Sequence, residues 1–294
     1  MTRPPSAFLS SNTGNRIAVI TLSRPPLGKL PQELRAELYN TLSDSFDTPE
    51  IDAIVIAGND DGFNLDLPLA ERQLGESAPT LEAITDLIST APKPVVAALR
   101  GRISDAGAEL ALAAQGRIGH RASHISLPSL RAGQLPCAAA CYTLAATLGP
   151  QSTIRLLETL ADISVTLPQL APLFDKVVGQ NVVGEAAGLA QSLFKSGPNS
   201  ASNAPAFAPS TRYQSELEAL RSKNHLALQP EKAAAIAVLE AARLLPKEAA
   251  LLFARAQSAD LAESPKAKSK TYKRAARLAS LHHLPASSPP ARLS

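Results

Sequence analysis

Residues 93–115 read KPVVAALRGRISDAGAELALAAQ, an apolar run followed by a run rich in alanine and leucine. The β-branched part, Lys93–Leu99, predicts a buried strand. Ala106–Gln115 predicts a helix, and either Ser104 or Asp105 is suited to cap its N-terminus. A strand that enters a helix through a short turn of small residues leaves free backbone N–H groups, which suit an anion or a developing oxyanion.

The same alternation of strand and helix continues on both sides of this segment. The predicted strands are Arg16–Leu22, Ile51–Ala57, His124–Leu127 and Phe174–Val178, and the predicted helices are Pro31–Phe46, Ala138–Leu148 and Ser152–Leu160. Two more junctions follow apolar strands, at 57–69 (AGNDDGFNLDLPL) and 127–141 (LPSLRAGQLPCAAAC). Strands that alternate with helices at these spacings predict an α/β fold with largely buried strands.

Composition excludes several classes of protein. Of 294 residues, 45% are hydrophobic, which is too many for a disordered chain. Its two cysteines, Cys137 and Cys141, are too few for a disulfide framework or a four-ligand zinc site, and we expect both to be small core residues. No segment of signal-peptide type begins the chain, and no run approaches the roughly 18 apolar residues of a membrane span. We therefore expect a cytoplasmic protein with no membrane partner and no bound metal.

The net charge of +3 conceals an uneven distribution. Residues 1–210 carry 15 Lys and Arg against 19 Asp and Glu, whereas residues 211–294 carry 14 against 7. The basic excess lies near the C-terminus, where Tyr272 is the one aromatic residue available for base stacking. We interpret this excess as a solvated helix face and expect no nucleic-acid partner.

The chain divides into four predicted parts. Residues 1–194 form the α/β core, and residues 195–212 form a linker rich in Ser, Pro, Asn and Ala. Residues 213–281 form a C-terminal helical region, with helices predicted at Tyr213–Leu245 and Lys247–Leu281. Residues 282–294 are rich in Pro and Ser and form a flexible tail.

Several runs occur in an order that resembles one known family. They are IAVITLSRPP, IDAIVIAG followed by Phe63, KPVVAALRG, AELALAA, ISLPSLRAGQLP and FDKVV, and they lie within residues 16–190, a segment of about 60% of the chain. This order resembles the crotonase (enoyl-CoA hydratase/isomerase) superfamily, and most of all the N-terminal hydratase part of multifunctional enoyl-CoA hydratase/3-hydroxyacyl-CoA dehydrogenases. No Gly-rich dinucleotide fingerprint follows, so we expect no dehydrogenase part.

The resemblance implies a crotonase-like spiral of ββα turns, an acyl-CoA substrate, a role in fatty acid metabolism and no further cofactor. It implies an oxyanion hole formed by the backbone N–H groups of Leu67 and Ala106. Family hydratases bracket one water with two glutamates. The first position holds Glu109, but the second holds Ser129, which has no proton to exchange near neutral pH.

Asp105 stands where the family has a glycine, and three interpretations of it remain open. It caps the following helix, or its fixed charge opposes an enolate, or it replaces the missing glutamate as an acid/base group. Glu109 also has two interpretations, because the helix dipole favours an acidic residue in a first turn whether or not it acts as a base. The glycine that the family has before the first donor is replaced by Asp66.

CoA contacts are assigned to loop residues. Arg24 and Lys29, in the loop after the first strand, either meet the CoA phosphates or are simply solvated. Asp66 and Leu69, close to Leu67 on either side, complete the expected CoA-binding set. Family members form homotrimers or hexamers through their C-terminal helices, whereas the multifunctional relatives fold that region back on their own core. The tail of this chain resembles the latter, so a monomer remains an alternative.

Two classes of function follow from these residues. The first is an enoyl-CoA hydratase/isomerase-like enzyme, a lyase or isomerase of reduced activity, with Glu109 as its single base. The second is a catalytically impaired homologue that acts as an acyl-CoA-binding or partner protein, and a divergent acyl-CoA hydrolase is a further alternative. Ser129 and the altered glycine turns favour the second class, and Glu109 favours the first.

Overall fold

The computed structural model of the protein describes residues 9–22, 30–58, 62–65, 67, 79–197, 207–223 and 229–263. Within these ranges the chain forms two β-sheets, ten α-helices and one 3₁₀-helix. The α/β class predicted from the alternation of apolar runs is therefore confirmed.

Six strands form the larger sheet. In spatial order they are β1 (Leu9–Gly14), β2 (Ile17–Leu22), β3 (Ala53–Gly58), β5 (Val95–Leu99), β7 (Gly116–His120) and β10 (Lys176–Val178). β1 pairs antiparallel with β2, and each later pair of neighbours is parallel. Four strands form the smaller sheet, in the order β4 (Gly62–Leu65), β6 (Arg102–Ser104), β8 (His124–Ser126) and β9 (Ile163–Ser164).

Helices follow the strands and cover the sheets. They are α1 (Gln32–Asp47), α2 (Leu81–Ser89), α3 (Asp105–Ala113), α4 (Ser129–Ala132), α5 (Ala138–Thr147), α6 (Gly149–Glu158), α7 (Val182–Ser196), α8 (Ser210–Lys223), α9 (Pro230–Leu244) and α10 (Lys247–Glu263), with the 3₁₀-helix at Pro168–Leu173. Among these helices, none is long and apolar enough to cross a membrane.

The arrangement is a spiral of ββα turns. β3 and β4 precede α2, β5 and β6 precede α3, and β7 and β8 precede α4. In each turn the first strand joins the larger sheet and the second joins the smaller one. Because β4, β6 and β8 are parallel neighbours, their carboxyl ends meet at one edge, from which the loops to the helices leave.

The larger sheet is buried on both faces. In β3, Ile54 and Ile56 join the main hydrophobic core, whereas Val55 and Ala57 join a second cluster on the opposite face. That alternation is the period of two that a strand imposes on its side chains. α7 covers the second face with residues four apart, Val182, Ala186 and Ala190. Burial on both faces explains why the strands read as continuous apolar runs.

The C-terminal helices pack against the core of their own chain. Arg255 on α10 reaches two carboxylates of α2, and Lys247 Nζ donates a 3.3 Å hydrogen bond to the Ser89 carbonyl. Lys232 on α9 is 8% exposed and donates a 2.8 Å hydrogen bond to Glu158 on α6. The helical region described by the structure, up to Glu263, therefore packs on the core of the same chain.

One predicted helix is wrong. Tyr213–Leu245 is not a single helix, because α8 ends at Lys223 and α9 starts at Pro230. A proline ring lacks an N–H and clashes with the preceding turn, so Pro230 begins a helix more readily than it continues one. The helix predicted from Lys247 is confirmed as far as Glu263, and the rest of it lies outside the described residues.

Candidate functional site

Leu67 and Ala106 both follow the carboxyl ends of neighbouring parallel strands. The last pairing between β4 and β6 is an isolated bridge that joins Leu65 to Asp105. Ala106 is the next residue after this bridge, and Leu67 is two residues beyond Leu65. Both are buried, with exposures of 0% and 3%. The fold thus brings the two predicted oxyanion-hole residues to the same edge of the smaller sheet.

Asp105 has a backbone conformation that explains the glycine expected there. Its φ is +47°, in the left-handed region where most L-residues are strained. Aspartate tolerates this region better than most residues, because its short polar side chain hydrogen-bonds locally. Of the two predicted N-caps, the structure selects Ser104, although its hydroxyl donates to Asn64 Oδ1 of β4 rather than capping α3.

Gly107 allows α3 to approach β4. A Cβ atom built on Gly107 would lie 1.9 Å from the carbonyl oxygen of Phe63. That oxygen belongs to the backbone of a buried strand and has little freedom to move. No other residue fits this position without shifting α3, which carries both Ala106 and Glu109.

Glu109 is a buried carboxylate on α3, the helix that ends the second ββα turn. Its residue exposure is 1%, and the Cys137 backbone N–H donates a 2.7 Å hydrogen bond to Oε2. Cys137 is the N-cap residue of α5, so the carboxylate lies at the positive end of that helix dipole. The predicted base is therefore held in place by a backbone group of the third junction.

Glu82 lies at the same helix end, although the sequence did not single it out. It is in the first turn of α2, and the Ala138 N–H lies 3.2 and 3.3 Å from its two carboxylate oxygens. Burial raises the pKa of Glu82, and the nearby Asp86 charge raises it further. Hydrogen bonds from Cys137, Ala138 and Arg255 act in the opposite direction.

Arg255 supplies positive charge to this acidic cluster. Its Nε lies 3.2 Å from Glu82 Oε1, and its Nη2 lies 2.5 Å from Asp86 Oδ1. These two contacts join α10 to α2 across 173 and 169 residues of sequence. We call Glu82, Asp86, Glu109 and Arg255 the α5 cluster, because two of its carboxylates accept from the start of α5.

Cys137 and Cys141 form no disulfide and are buried, with exposures of 7% and 5%, as expected for small core residues. The Cys141 thiol is poorly suited to act as a nucleophile. Burial raises the pKa of the Cys141 thiol well above its usual value, and the charges of Glu109 and Glu82 raise it further. A thiol with a raised pKa carries little thiolate at neutral pH.

Ser129 is the first residue of α4 and is also buried, with an exposure of 8%. Its hydroxyl oxygen makes no hydrogen bond within the described part of the chain. The third junction therefore contains one residue whose backbone N–H binds Glu109, Cys137. It also contains one whose hydroxyl has no hydrogen-bond partner among the described residues, Ser129.

Four predicted CoA-binding residues, Arg24, Lys29, Asp66 and Leu69, lie outside the described residues. Over the ranges that the structure does describe, no group of three or more His, Cys, Asp or Glu side chains is arranged to hold a metal ion.

The sequence contained only a weak signal for Glu82. It follows Thr80, whose hydroxyl accepts a 3.1 Å hydrogen bond from Ala83 N and caps α2. An acidic residue in that first turn has an ordinary explanation in the helix dipole. Its contact with Ala138 depends on how α2 packs beside α5, 56 residues later, and no local pattern encodes that packing.

A sequence profile of the enoyl-CoA hydratase/isomerase family matches residues 12–236. The chain belongs to this family. Among curated relatives, the peroxisomal bifunctional enzyme of Homo sapiens is 32% identical over 186 residues, which are 60% of this chain and 25% of that protein. The enzyme of the same name from Danio rerio is 30% identical over 165 residues, 56% of this chain and 23% of that protein. The chain thus matches about a quarter of the length of these relatives.

Solved structures of the family share the fold. An enoyl-CoA hydratase/isomerase from Pseudoalteromonas atlantica superimposes with a TM-score of 0.63 at 19% identity, covering 92% of this chain and 97% of that chain. The crotonase-like spiral predicted from the order of the sequence runs is therefore confirmed, both by this likeness and by the ββα turns themselves.

Proposed function

We propose that this protein binds an acyl-CoA thioester and catalyses proton transfer on its acyl chain, as an enoyl-CoA isomerase with at most weak hydratase activity. The observation that carries the proposal is the buried Glu109 carboxylate, which accepts a hydrogen bond from Cys137 N–H and lies on α3, the helix that also carries Ala106. A carboxylate in that place has no packing purpose, and it costs free energy to bury.

The proposed oxyanion hole uses backbone groups only. The N–H groups of Leu67 and Ala106 donate to the thioester carbonyl oxygen and stabilise an enolate, each contributing about 3–4 kcal/mol. Backbone donors do not depend on the side chain, so the replacement of family glycines by other residues leaves the donors in place. The common edge at the ends of β4 and β6 supports this assignment.

A single carboxylate suffices for isomerisation. Glu109 takes a proton from C2 of a 3-enoyl-CoA, and the electron pair moves onto the thioester oxygen. The pair then returns to form the C2–C3 double bond while the C3–C4 double bond opens and C4 takes the proton back from Glu109. The reaction moves one proton, consumes no water and uses no cofactor besides the acyl-CoA substrate. Hydration would also require a second group to activate water, and Ser129 occupies that position.

A second candidate is a homologue that binds acyl-CoA, or a protein partner, without turnover. Ser129 in the second glutamate position favours it, as does the tight packing of Glu109 and Ala106, which are 1% and 0% exposed. Thioester hydrolysis with Glu109 activating a water is a variant of the first proposal.

Three assays separate these functions. Conversion of a 3-enoyl-CoA to a 2-enoyl-CoA supports the isomerase, release of free CoA identifies a hydrolase, and hydration of crotonoyl-CoA measures the residual hydratase. Calorimetry with the saturated acyl-CoA measures binding alone. Binding without turnover in all three assays would establish the non-catalytic candidate, and absence of both would overturn the proposal.

The fold-back of the helical region supports a monomer over the family's homotrimer or hexamer, because α9 and α10 already cover their own core. Light scattering after gel filtration tests this. Cysteines that form no disulfide fit the cytoplasm, whereas the curated relatives carry "peroxisomal" in their names. Fractionation of cells that express the native protein distinguishes the two compartments.

A further inference from the structure

Arg255 connects the C-terminal helical region to the start of α5. Its guanidinium donates from Nε to Glu82 and from Nη2 to Asp86, one helical turn apart on α2. Its side chain is 34% exposed, and those of Glu82 and Asp86 are 32% and 29% exposed, so solvent screens these pairs only in part. A planar guanidinium fixes two carboxylates with more geometric definition than a lysine would.

The same Glu82 carboxylate accepts from Ala138 N–H, and Glu109 accepts from the preceding amide, Cys137 N–H. One buried and one partly exposed carboxylate therefore accept from two consecutive amides at the start of one ten-residue helix. If Glu82 moves, the amide of Ala138 loses its acceptor, and the adjoining peptide that holds Glu109 loses its support.

We propose that Arg255 is a positioning residue for the active site, which acts through Glu82 on the Cys137–Ala138 amides and so fixes the Glu109 carboxylate. The inference rests on the proposed function of Glu109 as the base. It makes the C-terminal helical region part of the catalytic apparatus rather than an appended cover.

The charges that face Glu109 are few. In the described residues, α2 contributes Glu82 and Asp86, α10 contributes Arg255, and α5 contributes the thiols of Cys137 and Cys141. On the strands beside α3, Asn64 and Ser104 are bonded to each other, whereas Arg102 and His124 are exposed to solvent and Arg102 pairs with Asp162. Arg255 is the cation of the α5 cluster, so removing it leaves the acidic groups of that cluster without their counter-charge.

Opposite charge changes should have opposite effects on catalysis. Glu82→Gln removes a negative charge near Glu109, and the Gln oxygen still accepts from Ala138 N–H. We expect the acid limb of the kcat/KM profile to move to lower pH. Arg255→Gln removes the positive charge, so the acid limb should move to higher pH. The double variant restores the charge balance, and its limb should lie between those of the single variants.

Lys247→Gln is the matched control. It removes the same charge from the same helix, and the contacts of Lys247 with the Ser89 carbonyl and the Tyr142 ring do not involve the four residues of the α5 cluster. We expect it to leave the pH profile unchanged. Arg255→Lys keeps the charge but not the two-pronged geometry, so it should restore the acid limb while kcat stays reduced.

Amide hydrogen exchange tests the positioning without any need for turnover. We expect Arg255→Gln to accelerate exchange of the Cys137 and Ala138 amides about tenfold relative to Lys247→Gln, with Arg255→Lys between them. Equal exchange in Arg255→Gln and Lys247→Gln would overturn the inference, as would acid limbs that shift in the same direction in Glu82→Gln and Arg255→Gln. If the wild-type protein has no turnover, the proposed function fails, and the exchange rates still decide the positioning.

Discussion

The backbone N–H of Cys137 donates a 2.7 Å hydrogen bond to the carboxylate of Glu109, which lies 28 residues earlier in the chain. This bond joins two successive junctions of the spiral, the one that ends in α3 and the one that leads to α5. A hydrogen bond to a charged group contributes about 1.5–3 kcal/mol, more than most bonds between neutral groups. It fixes the orientation of the proposed base with a backbone group that mutation does not alter.

Gly107 is expected to be the least replaceable residue of this region. Gly107→Ala places a Cβ 1.9 Å from the Phe63 carbonyl oxygen, so it should lower the free energy of unfolding by about 3 kcal/mol. Gly188→Ala on α7 is the control, because nothing lies within 4 Å of its Cβ position. That helix-interior change should stabilise by about 0.5–1 kcal/mol. Urea unfolding measures both, and equal effects would contradict the close approach.

Asp105→Asn separates conformation from charge at the turn before Ala106. Asparagine tolerates a φ of +47° as aspartate does, but it lacks the negative charge. If the charge opposes an enolate, this variant and Asp105→Gly should both raise acyl-CoA affinity or turnover. If Asp105 is a substitute acid/base group, both should abolish turnover. No change in either quantity would leave Asp105 with a structural role only, as the first residue of α3.

Ser129→Glu should restore the second carboxylate of a family hydratase. We expect crotonoyl-CoA hydration to rise about 10²-fold over the wild-type rate, since general acid–base groups contribute about 10²–10⁴-fold. Ser129→Ala is the control. The Ser129 hydroxyl has no hydrogen bond in the described chain, so its loss should change stability by less than about 1 kcal/mol. A hydration rate in Ser129→Glu equal to that of Ser129→Ala would refute the assignment of this position.

The pH dependence of stability should differ in sign for two carboxylates. The pKa of Glu82 is raised, chiefly by burial. The stability that this carboxyl group contributes to the folded state is therefore present below its unfolded pKa and is lost as pH rises through its folded pKa. Glu82→Gln should therefore match the wild type at low pH and become the more stable protein as pH rises. Urea unfolding between pH 4 and pH 8 measures the difference.

Asp52 provides the contrasting case. Its hydrogen bond from Arg16 lowers the pKa of its carboxyl group, so its contribution is present above the unfolded pKa and is lost as pH falls through the folded one. Asp52→Asn should be less stable than the wild type at neutral pH, with a gap that closes on acidification. The same slope for Glu82→Gln and Asp52→Asn would contradict the assigned shift of Glu82.

Local patterns predicted the parts of the fold that repeat along the chain. The strand Val95–Leu99 and the helix α3 were predicted from a β-branched run and an alanine-rich run. A strand that is buried on both faces is easy to predict because its sequence is continuously apolar. β4 and β6 were not predicted, because four and three residues are too few to establish a period. Pro230 was present in the sequence as a helix-start signal, but the apolar pattern on both sides of it obscured the break.

The candidate site residues Glu109, Ala106 and Leu67 were assigned from the resemblance to the crotonase family, and their roles stay predictions. The structure places Leu67 and Ala106 at neighbouring strand ends and Glu109 on α3. Glu82 and Arg255 were missed because their contact spans 173 residues and depends on the packing of α10 against α2. An ion pair between distant segments produces no periodic pattern in the sequence of either segment, so it cannot be predicted from local sequence.

The most direct test of the central claim compares wild-type protein with Glu109→Gln in the isomerisation of a 3-enoyl-CoA. The Gln side chain still accepts from Cys137 N–H, so the fold and the affinity for a saturated acyl-CoA should be retained to within about threefold. We predict that the wild-type protein forms the 2-enoyl-CoA and that Glu109→Gln lowers kcat by about 10³-fold, within the range for loss of an acid–base group. Turnover by Glu109→Gln at the wild-type rate would show that Glu109 is not the base and would contradict the account.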